Sequence, residues 1–451
     1  MNLKIVILAA GQGTRMKSKI PKVLHKVLDK PMLDHVMEAA QVVTNNKPIV
    51  VIGHMSDMVR EHLGDKAEIA LQEEQLGTGH AVMMAEHYID DGDEVLILCG
   101  DTPLIKGETL KEMTKIKSEG YAAVVMSAVE DDPTGYGRII RDESDDFMRI
   151  REQKDASEEE KAIKEINAGM YIINGKLLKE NLSKLSVNNA QREYYLTDVL
   201  EHIKNAGHRI GVYQADKMEI MGVNSRLQLS EAERIMRLDV NKMHMANGVT
   251  LIDTNSTYID KNVKIGRDTI IYPNCHIKGN SVIGEDCIIR ENTTIEDSHI
   301  EDHVTIKSST ILSSKVGTRT TIGPYAYLRP KSVLGEDVKI GDFVEVKNAE
   351  IGNGSKASHL AYIGDAVVGK NVNIGCGVVF VNYDGKNKFK SIVEDNAFIG
   401  SNSNLVAPVT VKEGGYIATG STVTVDVPEG ALCVARAREV IKEGWRTKKG
   451  L

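Results

Sequence analysis

Residues 259–295 read "IDKNVKIGRDTIIYPNCHIKGNSVIGEDCIIRENTTI", and isoleucine returns in them at 259, 265, 271, 277, 283, 289 and 295. A beat of six fits neither the 3.6-residue helix nor the two-residue alternation of a half-buried strand. It fits a solenoid in which each hexad forms one flat side of a prism and the aliphatic residue points inward. Small residues recur four places after each aliphatic, at Val263, Thr269, Cys275, Ser281, Cys287 and Thr293. That predicts a packing role, without reactivity, for Cys275 and Cys287. Glycine often follows the aliphatic, as at Gly266, Gly284, Gly317 and Gly335, which predicts corner geometries closed to other residues. After a one-residue slip the beat resumes at Val316, Ile322, Leu328, Leu334, Ile340 and Val346. It resumes again at Val393, Ile399, Leu405, Val411, Ile417 and Val423.

Moving toward the N-terminus, the stretch "LQLSEAERIMRLDVNKMHMAN" (227–247) has neither Gly nor Pro, and its apolar residues fall at helical spacing. Gly248 stops it, so a single linker helix is expected over 227–247, between a first domain at 1–226 and a second at 248–451. Before it, short apolar runs alternate with stretches of helical length. "KIVILAAG", "KPIVVIGH", "DEVLILCGD" and "AAVVMSAV" are the clearest strands. This is the pattern of an α/β domain with a mostly parallel, Rossmann-like sheet. Several runs end in Gly or Asp, where open α/β sheets place their ligands.

The chain has 451 residues, too many for one ordinary core, and a net charge of −8 that argues against nucleic acid as a partner. The run "IVILAA" is too short to cross a membrane. Five scattered cysteines without a CxxC pair imply neither a disulfide framework nor a zinc site, and point to the reducing cytoplasm.

"LAAGQGTRM" (8–16) and "PK" (21–22) open the first domain. Its glycines let backbone N–H groups approach phosphate, and Arg15 and Lys22 add fixed positive charge. The string is neither the dinucleotide fingerprint nor a Walker loop. Asp101, in "LCGDTP", lies just after a strand, the usual place for a carboxylate that holds Mg²⁺ beside phosphates. Read alone it is better taken as a turn-forming Asp before Thr-Pro. In the solenoid, Arg329 and Lys347 lie 18 residues apart, one full turn, so their cations stack as a phosphate clamp. His359, Tyr362 and Asn373 fall within about three turns of that pair. The polar stretch "NYDGKNKFKS" (382–391) interrupts the beat, as insertions at binding faces do, though taken alone it reads more safely as a tolerated surface loop.

These segments, taken together, resemble known families. "LAAGQGTRM", "QEEQLGTGHA", "LCGDTP", "GYGRI", "REQKDA", "EINAGMY" and "GVNSR" occur in order as in sugar-nucleotide pyrophosphorylases. The hexads resemble the left-handed parallel β-helix, whose members close a triangular coil with three hexads and assemble as trimers with sites between subunits. Over essentially all 451 residues the chain is similar to the bifunctional bacterial enzymes that make UDP-N-acetylglucosamine. "LRP", "FVEVKNAEIGNGSKASHLAYIGDA" and "NYDGKNKFKS" match their acetyltransferase half.

The resemblance implies a nucleotide site of Leu8, Ala9, Ala10, Gly11, Lys22, Gln72, Gly77, Thr78, Gly100, Asp101, Gly137, Glu152, Asn167 and Asn224. Gln72, Gly77 and Thr78 would contact the base, Asp101 and Asn224 would hold Mg²⁺, and Arg15 and Lys22 would neutralise the phosphates of UTP. In the second half it implies Arg329 and Lys347 on the phosphate of glucosamine 1-phosphate, and Tyr362 and Asn373 on the sugar. Cys376, Asn382, Tyr383, Ser401, Thr419 and Arg436 would line acetyl-CoA. His359 suits the removal of a proton from the sugar amine, since imidazole titrates in the neutral range. Cys99 departs from the tyrosine frequent in relatives.

Cys376 offers a rival in which the thiol first takes the acetyl group; no histidine lies beside it in sequence, and relatives often have alanine there. Two rival functions are a nucleotidyltransferase with a purely structural or regulatory solenoid, and a non-catalytic scaffold. The scaffold leaves the N-terminal series unexplained.

Overall fold

The structure, a computed structural model, describes residues 2–450 and divides into two compact units, one ending at Met236 and the other beginning at Arg237. In the first unit, strands β1 (Asn2–Leu8), β2 (Ile49–Ile52), β3 (Glu68–Leu71), β4 (Asp93–Cys99), β5 (Ala123–Val129), β8 (Glu165–Asn174) and β9 (Ile210–Gln214) form one sheet in the order β9-β5-β8-β4-β1-β2-β3. All neighbours are parallel except β8, which runs antiparallel to both β4 and β5. A hairpin of β6 (Arg138–Arg141) and β7 (Phe147–Arg151) joins through β8. Successive residues serve opposite cores: Ile5 and Ile7 pack on one face, Val6 on the other. Burial on both faces is why these strands read as unbroken apolar runs rather than alternating ones. Register sets Leu8 beside Val51 and Cys99, so the loops after β1 and β4 leave the sheet at one level.

The helix of the linker stretch runs Arg226–Ala246. Its residues up to Met236 belong to the first unit, where Ala232 is buried with Val27, Met32, Leu104 and Val223. In the second unit, Asn241 Nδ2 donates to the carbonyls of Thr254 (2.9 Å) and Thr257 (3.1 Å), and the Arg237 guanidinium lies 4.4 Å from the centre of the Tyr258 ring.

The second unit is a parallel β-helix of two- and three-residue strands, joined by two nine-residue strands, Lys339–Lys347 and Lys356–Gly364, each paired with the strand one coil away. The aliphatics stack by face. Ile259, Ile277, Ile295, Ile311, Leu328 and Val346 form one inner column and are fully buried. The small residues behave as their spacing predicts: Cys275 and Cys287 are buried, and burial pushes the Cys275 thiol up to about 11 and the Cys287 thiol up as well. Buried hydroxyls between them are satisfied, as when Thr269 Oγ1 donates to Gly284 O at 2.8 Å.

Two expectations are corrected. The break in the beat after Ile295 is not one slip but three shortened hexads, ending at Ile300, Ile311 and Val316; Ile295 stacks on Ile311 and Ile300 on Val316. A coil tolerates the loss of a residue at a corner because only the inward position must keep register. Gly323 (φ 93°) excepted, the glycine after the aliphatic is not the corner at Gly266, Gly284, Gly317 or Gly335. Left-handed backbone falls two residues later, at Asp268 (φ 60°), Asn274 (φ 61°), Asp286 (φ 56°) and Asn292 (φ 60°), residue types that accept it. At Gly266 the requirement is space: a Cβ there would sit 2.6 Å from the backbone carbon of Gly284 on the next coil.

Candidate active sites

The loop after β1 carries Leu8, Ala9, Ala10 and Gly11 past the sheet's carboxyl end. The Ala9 N–H donates to Val51 O (2.8 Å), and the Gly100 N–H donates to Leu8 O (2.9 Å), tying this loop to the one after β4. Gly13 is left-handed (φ 60°), and a Cβ on it would come within 2.8 Å of Lys22 Cβ, so the glycine loop and the lysine stem pack as one piece. Lys22 Nζ donates to Asp101 Oδ2 and, at 2.9 Å, to Asn224 Oδ1. Three residues far apart in sequence therefore meet at one point. The Asp101 and Asn224 oxygens converge on a position that already holds a cation, and hard oxygen donors of this kind fit Mg²⁺, which takes one or two protein ligands and keeps its waters. Arg15, in the loop between Gly13 and Lys22, is exposed.

Gln72 is buried; its Nε2 donates to Gly77 O (3.2 Å) and lies 3.1 Å from His80 Nδ1, so Gln72, Gly77 and Thr78 stand together at the start of the helix Thr78–Ala85. Gly137 and Asn167 form a second group: the Asn167 N–H donates to Gly137 O (2.9 Å), and a Cβ on Gly137 would lie 3.4 Å from the Glu152 carboxylate. Burial holds the Glu152 carboxyl above its usual range, against a hydrogen bond from Thr197 Oγ1 at 3.3 Å. Cys99 lies behind this group, its thiol donating to Gly169 O at 3.4 Å. Burial, with help from the Asp101 charge, pushes that thiol up to about 12, which leaves it a neutral packing group.

In the β-helix the count of 18 between Arg329 and Lys347 holds, because Leu328 pairs with Val346. Arg329 NH1 is ion-paired to Glu345 at 2.8 Å. The next coil is one residue shorter: Asp342 pairs with His359, Glu345 with Tyr362 and Val346 with Ile363. His359 Nδ1 lies 2.7 Å from Asp342 Oδ1. An ionised carboxylate only accepts, so Nδ1 carries the proton and Nε2 is left as a free acceptor. The hydrogen bond from His359 holds the Asp342 carboxyl below its usual range. The pair borders a depression that also carries Lys307, Arg319, Lys339 and Ser358.

The offset of 17 continues, with Ala357 beside Ile374 and Tyr362 beside Val379, so Cys376 is the rung after His359. No histidine lies beside Cys376 in sequence, and in the fold His359 precedes it by one coil in register. Beyond it come Ser401, whose N–H a Cβ on Gly375 would meet at 2.6 Å, and Thr419, in the same relation to Gly400. Asp342, His359, Cys376, Ser401 and Thr419 make one straight track, and Arg436 lies past its end beside Gly420. Asn382 stands apart from that track. It is buried, its Nδ2 donates to Asp365 Oδ2 and to Tyr362 OH (3.4 Å), and it therefore stands with the residues expected at the sugar. Tyr383 is exposed in the inserted loop, its hydroxyl donating to Gly385 O at 2.6 Å. Asn373 pairs with Lys356, one coil removed.

Sequence reasoning missed Asp342, and also Lys388, whose ammonium faces that of Lys347; the Lys347 charge holds Lys388 below the usual lysine range. Asp365 lies near enough to oppose that effect, and the three lysines of "NYDGKNKFKS" were the signal in the sequence.

The nucleotidyl transferase family matches residues 4–219, and the left-handed β-helix domain of EIF2B subunit epsilon matches residues 241–346. The chain is 61% identical over 451 residues to the bifunctional protein GlmU of Clostridioides difficile, covering 100% of this chain and 98% of the relative. The GlmU of Alkaliphilus oremlandii is 60% identical over 453 residues (100% and 99%), and that of Caldanaerobacter subterraneus 56% over 449 (99% and 98%). The chain belongs to the GlmU family. Its first unit is a Rossmann-like nucleotidyltransferase and its second a left-handed parallel β-helix. As a member of that family it is a bifunctional enzyme, a uridyltransferase and an acetyltransferase. That removes the scaffold and the purely structural solenoid as readings of the second half. No helix among the described residues is long and apolar enough to cross a membrane.

Proposed function

We propose that the β-helix transfers acetyl from acetyl-CoA to the amine of glucosamine 1-phosphate, and that the first unit then couples N-acetylglucosamine 1-phosphate to UTP with release of pyrophosphate. The observation that carries the first half is the His359–Asp342 pair. Nε2 accepts a proton from the sugar amine as the nitrogen attacks the thioester carbonyl carbon; the C–S bond of the adduct then breaks, and the leaving coenzyme A thiolate takes that proton back from the imidazolium. Asp342 fixes the tautomer and balances the imidazolium. Arg329, Lys347 and Lys388 supply the charge for the sugar phosphate, with Tyr362, Asn373 and Asn382 on the sugar. The rungs from His359 to Thr419 span roughly 14 Å at about 4.8 Å per rung, a straight bed for an extended coenzyme arm running toward Arg436.

In the first unit a sugar-phosphate oxygen attacks the α-phosphorus of UTP in line, and pyrophosphate leaves. Alignment and charge neutralisation do the work. Asp101 and Asn224 would hold Mg²⁺, which supplies charge neutralisation at the phosphates when bound; Lys22 and Arg15 add theirs, and the glycine loop offers N–H groups. Gln72, Gly77 and Thr78 take the base, and Gly137, Glu152 and Asn167 the sugar side. The functional boundaries follow the helix, 1–226, 227–247 and 248–451, and the compartment is the cytoplasm. Two assays test the reading. Thiol release from acetyl-CoA with glucosamine 1-phosphate, and pyrophosphate release from UTP with N-acetylglucosamine 1-phosphate and Mg²⁺, are both expected; silence in either removes that half.

The partner is a second and third copy of this chain. Its support is a corner stripe: Tyr325, Phe343 and Leu360 take left-handed backbone (φ 59°, 56° and 34°), where bulky residues are strained, and all three are more than half exposed. Tyr325 and Phe343 stack at 5.5 Å, and the stripe directly follows the Asp342–His359 pair along the chain. Phe343→Glu is expected to shift the sedimentation profile from trimer toward monomer and to lower acetyl transfer while pyrophosphate release persists. An unchanged profile removes the stripe as the contact.

The position of Cys376 beside His359 favours one second reading, in which the thiol relays the acetyl group. Direct transfer predicts that Cys376→Ala keeps acetyl transfer within about threefold, since the base remains. A loss as large as that of His359→Ala, together with an acetylated Cys376 in quenched samples, would establish the relay instead.

A further inference from the structure

The Lys22 ammonium does more than wait for a phosphate: it bonds both oxygens, Asp101 Oδ2 and Asn224 Oδ1, that the proposed function assigns to the metal. The Lys22 and Asp101 side chains are only 12% and 19% exposed, so little water screens their charges. A divalent ion cannot share those oxygens with an ammonium at hydrogen-bond range, because the two cations would face each other in a poorly solvated cleft. Gly13 packs close to the lysine stem, where an added Cβ would lie 2.8 Å from Lys22 Cβ, so there is little room for the stem to shift that way. Only the end of the side chain can swing, and what draws it away is the phosphate that the glycine loop presents alongside.

We propose that Lys22 is a latch on the metal site: in the nucleotide-free enzyme it occupies the metal's oxygens, and it leaves them for the nucleotide's phosphates, so metal and nucleotide load as a coupled pair. The latch rests on the assignment of Asp101 and Asn224 to the metal. It keeps the free enzyme from holding metal uselessly, and linkage makes the coupling reciprocal: bound metal releases Lys22 to the phosphate, just as phosphate releases the oxygens to metal. Arg15, in the same loop and exposed, has no ion-pair partner among the described residues and belongs to no such exchange.

The test titrates Mn²⁺ into the full-length, nucleotide-free protein and follows free Mn²⁺ by electron paramagnetic resonance. Lys22→Ala is expected to bind Mn²⁺ about tenfold more tightly than the unaltered chain, the effect of freeing one charge-assisted bond. Arg15→Ala controls for the mere loss of a positive charge and is expected to change affinity by about twofold or less. In the unaltered chain, saturating Mn²⁺ alone is expected to raise acetylation of Lys22 by acetic anhydride, read by peptide mass spectrometry. Equal affinities for Lys22→Ala and Arg15→Ala, or Lys22 labelling indifferent to Mn²⁺, overturn the latch while leaving the metal assignment intact. Full Mn²⁺ binding by Asp101→Ala in the presence of UTP overturns the assignment itself. Circular dichroism melting of each variant separates these outcomes from misfolding.

Discussion

His359→Ala is expected to lower acetyl transfer by about 10²- to 10⁴-fold, the usual cost of deleting a general base, while pyrophosphate release from UTP stays unchanged. The expectation follows from the free Nε2 and from the 2.7 Å bond that gives the Nδ1 proton to Asp342. Asp342→Asn separates positioning from proton transfer. An amide can still orient the ring but cannot balance an imidazolium, and loss of an outer partner of this type costs about 10- to 100-fold. If Asp342 acts only through His359, the double variant His359→Ala/Asp342→Asn is no worse than His359→Ala alone. A positioning role further requires that Asp342→Asn lower kcat with little change in KM for glucosamine 1-phosphate and move the acid limb of the pH profile, which a merely structural role would not do. Near-normal acetyl transfer by His359→Ala would end the general-base mechanism.

Why the sequence revealed His359 but not its partner is a matter of one residue. The inward beat is legible because every hexad must bury one aliphatic, and a polar substitute there would lack a hydrogen-bond partner. Coil length is not under that constraint, since a corner can drop a residue without disturbing the inner column. Counting 18 back from His359 lands on Gly341, and counting 18 forward lands on Gly377; the true neighbours at 17 are Asp342 and Cys376. Arg329 and Lys347 were legible as a stack because their coil kept all 18 residues. Asn382 shows a different limit. The resemblance puts it at the coenzyme, and the return of the inserted loop to the coil also puts its amide on Asp365 and Tyr362, a contact that no periodicity encodes. In the first unit the strands were legible from their unbroken apolar runs. The antiparallel course of β8 was not, because a strand buried on both faces has the same composition in either direction.

Asp101→Ala is expected to lower uridyl transfer by at least about 10²-fold with acetyl transfer unaffected, the mirror image of His359→Ala. Two effects combine in it. The variant removes a carboxylate oxygen expected to hold Mg²⁺, and it removes the acceptor that keeps Lys22 in the cleft. Asp101→Asn distinguishes them: an amide oxygen can still accept from Lys22 Nζ, but it brings no negative charge to a divalent ion. A metal role therefore predicts that Asp101→Asn loses nearly as much activity as Asp101→Ala and that raising Mg²⁺ recovers part of it. If Asp101 served only to position Lys22, Asp101→Asn would be nearly as active as the unaltered chain and indifferent to Mg²⁺. Pyrophosphate release measured across a Mg²⁺ series for the three proteins decides between them, with thiol release from acetyl-CoA as the control that the second unit is intact.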